Sequence, residues 1–197
     1  MRLVSANVNG IRAAVRRGGV EWLAAQEADV ICLQEVRATD QQLAGALGDT
    51  FQGWHLAHRP SAVRLGHAGV TILSRKPLQV TQDLGCADDE GRWVATRIGD
   101  LEIASVYVHT GQADTPAQDD KHRFLDAMGK WMEQRSPALV CGDLNVAHQQ
   151  ADIKNWRGNV GKAGFLESER AYLTQWYDDL GWIDLGRDAG FTWWSWR

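Results

Sequence analysis

The segment best suited to bind a ligand or catalyse a reaction is residues 138–147, with the sequence Ala-Leu-Val-Cys-Gly-Asp-Leu-Asn-Val-Ala. Its first four residues are apolar and predict a short buried strand, and Gly142 lets the chain turn where that strand ends. Asp143 and Asn145 would then lie at the carboxyl edge of a sheet, where open α/β sheets bind their ligands. Their short oxygen-bearing side chains suit a hard metal ion or a phosphate group. The same Gly-Asp-x-Asn pattern also suits a simple turn, so this stretch alone leaves both interpretations open.

Three other predicted strands, residues 2–6, 30–34 and 101–108, end in a similar way. Each has an oxygen-bearing side chain at or near its carboxyl end. One such strand end is ordinary, whereas four of them favour a shared site over four separate turns. We therefore expect a single site that is formed by Asn7, Glu35, Tyr107, Asp143 and Asn145.

The composition is typical of a soluble globular protein, with 44% hydrophobic and 23% charged residues. We expect one domain over residues 1–197, because a chain of this length buries roughly 70% of its unfolded surface. No apolar run approaches the ~20 residues of a membrane span, and no signal peptide precedes the first strand. Three widely spaced cysteines, Cys32, Cys86 and Cys141, predict reduced thiols in a cytoplasmic protein.

The net charge of −4 argues against indiscriminate binding to nucleic acid, although local basic patches exist. Arg12, Arg16 and Arg17 form one such group, and the segment from Lys154 to Lys162 forms another. Each follows a strand of the predicted site, so each is a candidate contact for a polyanion. A solvated surface with scattered charges explains either group equally well.

Ten tryptophans are present, and seven of them lie from Trp131 onward. Most are expected in the core, where large aromatic side chains bury area. Trp194 and Trp196 would share one face of a terminal strand, with Trp193 on the other. One of these faces is a candidate stacking surface for a base or a sugar.

Predicted helices and strands alternate along the chain. Apolar runs predict further strands at residues 54–59, 69–74 and 92–97, besides those named above. Helical periodicity indicates helices near residues 19–27, 41–47, 124–132 and 173–180. This order predicts an α/β protein with mixed sheets that are covered by helices.

Together these residues carry a resemblance to exonuclease III-like AP endonucleases of the endonuclease/exonuclease/phosphatase superfamily. The resemblance runs through the whole chain, and Leu-Gln-Glu and Gly-Asp-x-Asn are its most general motifs. The matching segments are Asn7-Val8-Asn9-Gly10-Ile11-Arg12, Leu33-Gln34-Glu35-Val36, Gly69-Val70, Tyr107, Gly142-Asp143-Leu144-Asn145-Val146-Ala147, Asp152-Ile153, Gly181-Trp182-Ile183-Asp184 and Thr192-Trp193-Trp194-Ser195-Trp196.

The resemblance implies a four-layered α/β sandwich, in which two packed mixed β-sheets are flanked by helices. It implies Mg²⁺, or Mn²⁺ in its place, held by Glu35 together with Asn7, Asp143 and Asn145. Asp143 would activate or orient the attacking water. Asn145 would steady the phosphate, and Tyr107 would lie near the scissile phosphate.

The resemblance also implies residues that contact the substrate, which would be double-stranded DNA with abasic sites or 3′ ends. Trp193 matches an aromatic residue of the pocket that holds the abasic sugar. Asn9, Arg12 and Lys154 are the further candidates for substrate binding. No membrane contact is implied, and we expect the full-length protein to be a monomer.

Two features depart from the family pattern. The family usually has Pro-Asn-Gly or a similar sequence soon after the Tyr, whereas this chain has Val108-His109-Thr110-Gly111. The chain also stops at Arg197, before the Asp-containing strand and the Ser-Asp-His motif with which the family ends. We therefore expect a C-terminally shortened version of a longer protein, which lacks the last strands.

We predict a Mg²⁺-dependent DNA repair nuclease of the exonuclease III type, acting in base excision repair. It would cut the phosphodiester 5′ to abasic sites and act as a 3′→5′ exonuclease on duplex DNA. The first alternative is another phosphodiesterase or phosphatase of the superfamily, acting on a phospholipid or an inositol phosphate. The second is a DNA-binding remnant without catalytic activity.

Overall fold

The computed structural model describes residues 1–81, 83–86, 88–134, 137–187 and 189–192. The chain divides into two compact units, one formed by Met1–Val108 with Arg135–Leu144 and the other by His109–Gln134 with Asn145–Arg197. The first unit contains two β-sheets and three helices, and the described residues of the second form helices and loops. Such units do not decide whether the chain is one domain, so a single domain over residues 1–197 stays a prediction.

The first sheet is mixed and has the strand order β1-β2-β4-β3. β1 and β2 are parallel, with Asn7 opposite Gln34, whereas β4 is antiparallel to both of its neighbours. Because β1 and β2 run in the same direction, the residues that follow them meet at one edge of the sheet. The strands are β1 (Leu3–Asn7), β2 (Val30–Gln34), β3 (His55–Arg59) and β4 (Val70–Ser74).

The second sheet is also mixed, with the order β5-β6-β7-β8. β6 and β7 form a hairpin, and β8 is parallel to β7 with Tyr107 opposite Asp143. These two residues therefore end neighbouring strands at one edge of this sheet. The strands are β5 (Gln79–Val80), β6 (Trp93–Ile98), β7 (Leu101–Tyr107) and β8 (Ala138–Asp143).

The two sheets pack face to face around a shared apolar core. Cys32 and Ile72 of the first sheet belong to one buried cluster with Val94 and Ile103 of the second. All five residues of β2 are buried, as expected for a strand that is covered on both faces. Side chains alternate along β2, so one set faces the second sheet and the other faces the helices.

Three helices cover the other face of the first sheet. They are α1 (Ile11–Val15), α2 (Gly19–Ala25) and α3 (Asp40–Leu47). Ile11, Leu23 and Leu43 of these helices share a buried cluster with Ile31 and Leu33 of β2. The first unit therefore consists of a helical layer and two sheets.

The second unit is built on α4 (Pro116–Glu133). It continues with a 3₁₀ turn (Gln150–Asp152), α5 (Trp156–Asn159), α6 (Glu167–Thr174) and a π-helical turn (Gln175–Asp179). The predicted apolar stripe of α4 is buried and comprises Phe124, Leu125, Met128, Trp131 and Met132. Among the described residues, no helix combines the length and the apolar character that crossing a membrane requires.

The predicted class, two packed mixed sheets with flanking helices, is confirmed. The strands predicted from apolar runs occur within one or two residues of their predicted bounds. Four short elements were not predicted, namely α1, β5, the 3₁₀ turn and α5, because two to five residues are too few to show a period. The helix predicted near residues 173–180 begins earlier, at Glu167, and its last turn is π-helical.

The close approach of Gly142 to β7 generates the first prediction. Gly142 has φ +149°, and a Cβ atom there would lie 1.9 Å from the Val106 carbonyl oxygen. We expect Gly142→Ala to lower the free energy of unfolding by clearly more than ~1 kcal/mol, because backbone strain and a backbone clash add. Urea denaturation measures the change.

Gly99→Ala is the matched control for this prediction. Gly99, in the turn after β6, also has positive φ (+61°), but a Cβ atom there meets open space. It therefore carries the conformational strain without the clash. Equal losses in the two variants would show that the contact with Val106 does not limit residue 142.

Candidate functional site

The side-chain amide of Asn7 joins the two carboxylates of the candidate site. Its Nδ2 donates to Glu35 Oε1 at 2.8 Å and to Asp143 Oδ2 at 3.0 Å. Its Oδ1 accepts a hydrogen bond from the Asn9 backbone N–H at 3.0 Å, which orients the amide. Asn7 and Glu35 belong to the edge of the first sheet and Asp143 to the second. The structure therefore brings together three of the side chains that we predicted for one site.

The loops that carry these side chains are held in left-handed backbone conformations. Asn9 has φ 46° and Glu35 has φ 50°. The backbone oxygen of Glu35 accepts from the Gly10 N–H at 2.7 Å, and Ile11 N donates to the Val36 oxygen at 2.9 Å. The loop after β1 thus supports the loop after β2. Non-glycine residues adopt such conformations at a cost, and this cost is often found at functional sites.

Glu35 also forms an ion pair with Arg37, which lies two residues further along the chain. The Glu35 side chain is only 13% exposed, and the Arg37 side chain is 41% exposed. Backbone hydrogen bonds from Val36 to Gly69 (3.0 Å) and from Arg37 to Ala68 (2.8 Å) hold this segment. The site therefore contains a cation of its own beside the carboxylate, a feature that our reading of the sequence missed.

Tyr107 supplies a hydroxyl group to the same carboxylates. Partial burial, followed by the charge of Glu35 and a hydrogen bond to it, raises the pKa of Tyr107 to about 12. The nearby Asp143 carboxylate raises the pKa further, and Arg92 opposes the shift. The phenol is therefore a neutral hydrogen-bond donor at physiological pH.

Arg92 supports the ring of Tyr107 from inside the protein and was not predicted either. Its guanidinium carbon lies 4.8 Å from the centroid of the tyrosine ring. Nη1 donates to the Tyr107 backbone oxygen at 3.3 Å, and Nε donates to Glu90 Oε2 at 2.5 Å. Arg92 is 6% exposed, so this support is mostly shielded from water. An arginine before a strand gives no sequence signal for such a role.

These groups are suited to holding a divalent cation and an anion beside it. Glu35 and Asp143 both reach one amide, so their oxygens converge on a small volume. Mg²⁺ usually binds through one or two carboxylates and keeps several waters. In the described part of the chain, no group of three or more His, Cys, Asp or Glu side chains could hold a metal ion. Carboxylate and amide oxygens suit a hard divalent cation better than they suit zinc, which prefers His and Cys ligands.

The remaining predicted site residues are located as follows. Asn9 is exposed in the loop after β1, and Arg12 is exposed on α1 of the same unit. Asn145 follows Asp143 by two residues and belongs to the second unit, as does the exposed Lys154. Trp193 lies outside the described residues.

The second unit contains a polar cluster around His148. Its Nε2 is hydrogen-bonded to Thr174 Oγ1 at 2.9 Å, and Nδ1 lies 3.3 Å from Arg187 Nη2. Arg187 also binds both carboxylate oxygens of Asp152, at 2.6 and 2.7 Å. Partial burial and the Arg187 charge lower the pKa of His148. These contacts hold the segment after Asn145 and do not identify His148 as a catalytic base.

The raised pKa of Tyr107 generates the second prediction. The folded protein keeps the phenol proton to about pH 12, whereas an unfolded chain releases it near pH 10. The stabilising contribution is present below pH ~10 and is lost as the pH rises toward ~12. We therefore expect the free energy of unfolding to fall more steeply over this range in the wild type than in Tyr107→Phe.

Urea denaturation at several alkaline pH values compares the two slopes. Other titrating groups are common to both proteins, so the difference isolates Tyr107. Tyr172→Phe is a positive control for the measurement. Burial and Asp126 also raise the pKa of Tyr172, at a place remote in sequence from Glu35 and Asp143. Equal slopes for wild type and Tyr107→Phe would contradict the raised pKa of Tyr107 in the folded protein.

Comparison with known proteins relates this geometry to a family. The model of the Endonuclease/Exonuclease/phosphatase family matches residues 4–197. An exodeoxyribonuclease of Bacillus subtilis (strain 168) is 32% identical over 210 residues, which cover 100% of this chain and 81% of that protein. The DNA repair nuclease APEX1 of Danio rerio is 33% identical over 181 residues, which cover 89% of this chain and 58% of that protein.

Solved structures share the fold. The 3′ phosphatase NExo from Neisseria, bound to product DNA hairpin, superposes with a TM-score of 0.83 at 24% identity, over 100% of this chain and 79% of that one. An AP endonuclease from Archaeoglobus fulgidus gives a TM-score of 0.77 at 23% identity, over 89% and 69% of the two chains. The predicted resemblance to exonuclease III-like AP endonucleases is confirmed, and the chain belongs to the Endonuclease/Exonuclease/phosphatase family.

Proposed function

We propose that this protein is a Mg²⁺-dependent nuclease of base excision repair, which hydrolyses the phosphodiester 5′ to an abasic site in duplex DNA. A 3′→5′ exonuclease activity on duplex ends is part of the same proposal. The observation that carries it is the convergence of Asn7, Glu35, Tyr107 and Asp143 at neighbouring strand ends of two sheets. The related exodeoxyribonuclease and DNA repair nuclease support DNA as the substrate.

Glu35, Asp143 and Asn7 would hold the metal ion, with Asn145 as a further candidate ligand. A bound Mg²⁺ supplies positive charge that polarises a phosphoryl oxygen and stabilises the leaving oxygen. Arg37 forms an ion pair with the Glu35 carboxylate and Asn7 donates to it, so this largely buried charge is compensated. Mn²⁺ would bind the same oxygens, and more tightly.

Asp143 is the residue proposed to orient and deprotonate the attacking water. One of its oxygens accepts from Asn7, and Asn7 is itself oriented by the Asn9 N–H. Positioned carboxylates serve as general bases when a hydrogen-bond network fixes their direction. Asn7 would therefore set the angle at which Asp143 meets the water.

Tyr107 and Asn145 are proposed to bind the phosphate. The raised pKa keeps the Tyr107 hydroxyl protonated, so it can donate to a phosphate oxygen. Asn145 carries an amide donor two residues after Asp143. A donor to an oxygen that gains charge in the transition state typically contributes ~10²–10³ to the rate.

Contacts with the DNA backbone are proposed for Arg12, Asn9 and Lys154. Arg12 and Asn9 are exposed near the end of β1, where they follow Asn7 in the chain. Exposed cations contribute mainly by neutralising phosphates, in a way that depends on salt. Trp193 is kept as the proposed residue of the abasic-sugar pocket, by resemblance alone. We also propose a cytoplasmic location, which the free thiols of Cys32, Cys86 and Cys141 support.

A cleavage assay tests the proposed function. The substrate is a labelled duplex with one abasic analogue, incubated with Mg²⁺, with Mn²⁺ or with EDTA. We expect one incision 5′ to the analogue with either metal and none with EDTA. Parallel reactions contain a duplex with a 3′ phosphate, a duplex with a recessed 3′ end, an inositol phosphate and phospholipid vesicles.

The parallel substrates separate the alternatives. Hydrolysis of the inositol phosphate or phospholipid without DNA cleavage would identify a phosphatase or phosphodiesterase of another branch. DNA binding without cleavage of any substrate would identify a non-catalytic remnant. Either result would overturn the proposal.

Glu35 generates the third prediction. Glu35→Ala removes a carboxylate of the proposed metal site, so we expect at least ~100-fold slower incision, since even indirect ligand contacts contribute 10–100-fold. Excess Mn²⁺ should restore part of the activity because it binds oxygen ligands more tightly than Mg²⁺. The control is Glu21→Ala, which removes an exposed carboxylate on α2 of the same unit. Unchanged incision and unchanged metal titration in Glu35→Ala would remove Glu35 from the site.

A further inference from the structure

A fully buried cation lies in the second unit, in a place that the proposed chemistry does not use directly. The side chains of Lys121 on α4 and Glu169 on α6 are both 0% exposed, and Nζ lies 2.7 Å from Glu169 Oε1. Removing two charges from water costs more than their attraction returns unless further polar groups surround them. The other hydrogen-bond partners of Lys121 and Glu169 therefore indicate the role of this buried ion pair.

The additional acceptors of Lys121 are two backbone oxygens. Nζ donates to the Asn145 oxygen at 2.8 Å and to the Thr110 oxygen at 3.2 Å. Lys121 thus connects the segment after Asp143 to the segment after Tyr107 and Val108.

Glu169 is fixed in turn, so the anchor of Lys121 is rigid. Its Oε1 accepts from Gln118 Nε2 at 2.9 Å, and its Oε2 accepts from the Leu166 backbone N–H at 3.0 Å. Both carboxylate oxygens are therefore engaged by groups other than water. The position of the Lys121 ammonium is determined by two helices rather than by a loop.

The backbone conformation of Asn145 is one that a hydrogen bond from Lys121 can stabilise. Its φ is 49°, a left-handed conformation that non-glycine residues adopt at a cost. Two residues later, the Ala147 N–H donates to the Gly164 oxygen at 2.9 Å, which holds the following part of the segment. A charged hydrogen bond to the Asn145 oxygen fixes its peptide plane, and the plane sets the direction of the side chain.

We propose that Lys121 is a positioning residue for Asn145, which holds the Asn145 peptide so that its amide can contact the phosphate. The proposal rests on the catalytic role that we propose for Asn145. Lys121 itself is buried and does not touch the substrate. Its effect is on the geometry of a group that acts in the transition state.

Three variants separate positioning from simple stabilisation. Lys121→Met keeps the length of the side chain and leaves Glu169 buried without its cation. The double variant Lys121→Met with Glu169→Gln removes both charges, and neutral replacement of a buried ion pair typically recovers stability. Lys130→Met makes the same exchange at an exposed position of α4 and is the matched control.

Three measurements are made on each full-length variant. They are the melting temperature, the hydrogen exchange of the Ala147 amide, and kcat and KM on the abasic duplex. The Ala147 N–H donates to the Gly164 oxygen two residues after Asn145, so its exchange reports on the order of the segment that Lys121 holds. This measurement needs no substrate.

We expect Lys121→Met to lower the melting temperature and the double variant to recover most of the loss. In both variants the Ala147 amide should exchange faster than in the wild type. Both should also show kcat lowered about ten- to a hundredfold, as expected for a misplaced group. KM should change by less than about twofold, because the lost interaction forms in the transition state. Lys130→Met should match the wild type throughout.

Two results would overturn the proposal. Recovery of kcat together with stability in the double variant would show that Lys121 only stabilises the fold. Unchanged exchange at Ala147 in Lys121→Met would show that the ammonium does not order the segment that contains Asn145. A wild type that leaves abasic DNA intact would refute the proposed function instead, and the exchange data would still decide whether Lys121 orders this segment.

Discussion

The packing of the two sheets depends on one buried polar bridge between them. Gln34, at the end of β2, donates from Nε2 to Ser105 Oγ of β7 at 3.1 Å, and Ser105 Oγ donates to the Leu33 oxygen at 3.2 Å. Both residues are almost completely buried, so a shift of one sheet against the other would leave polar groups without partners in the core. The apolar contacts around them tolerate small shifts, whereas hydrogen bonds do not. The bridge therefore sets the registration that brings the strand ends together.

The chemistry of the site follows from that registration. Gln34 immediately precedes Glu35, and Ser105 lies two residues before Tyr107. The bridge is therefore next to the strand ends that carry the side chains of the site. Asn7 then joins the carboxylate of the first sheet to that of the second. Arg37 brings positive charge to the Glu35 carboxylate, and Arg92 brings it to the ring of Tyr107. The result is a carboxylate pair that is rigid, partly shielded from water and close to compensating donors, which is the environment that metal-assisted hydrolysis requires.

Much of this arrangement could be predicted from the sequence because the signals are local. The apolar runs before Glu35 and Asp143 indicate strands, and the polar residues that follow them indicate a shared edge. Arg92 and Lys121 could not be found in this way, since their roles depend on contacts between residues far apart in the chain. Arg37 is only two residues from Glu35, but the sequence does not show that its side chain turns back toward that carboxylate. In the sequence Gln34 carries a signal only as part of the Leu-Gln-Glu motif, and its inward direction depends on the alternation of β2 between two covered faces. The short helix α1 and strand β5 lacked the length to show a period.

The central claim is that a divalent cation binds where Asn7, Glu35 and Asp143 meet. The most direct measurement is a Mn²⁺ titration of ¹⁵N-labelled protein, because the paramagnetic ion broadens the N–H signals nearest to it. The account predicts that the Asn7 side-chain amide and the backbone amides of Glu35 and Asp143 lose intensity first, below one equivalent of Mn²⁺. Signals near Asp152 and Asp184, a second pair of carboxylates beside Arg187, should persist at that concentration. Broadening that begins at Asp152 and Asp184, with the Asn7 amide unaffected, would contradict the account.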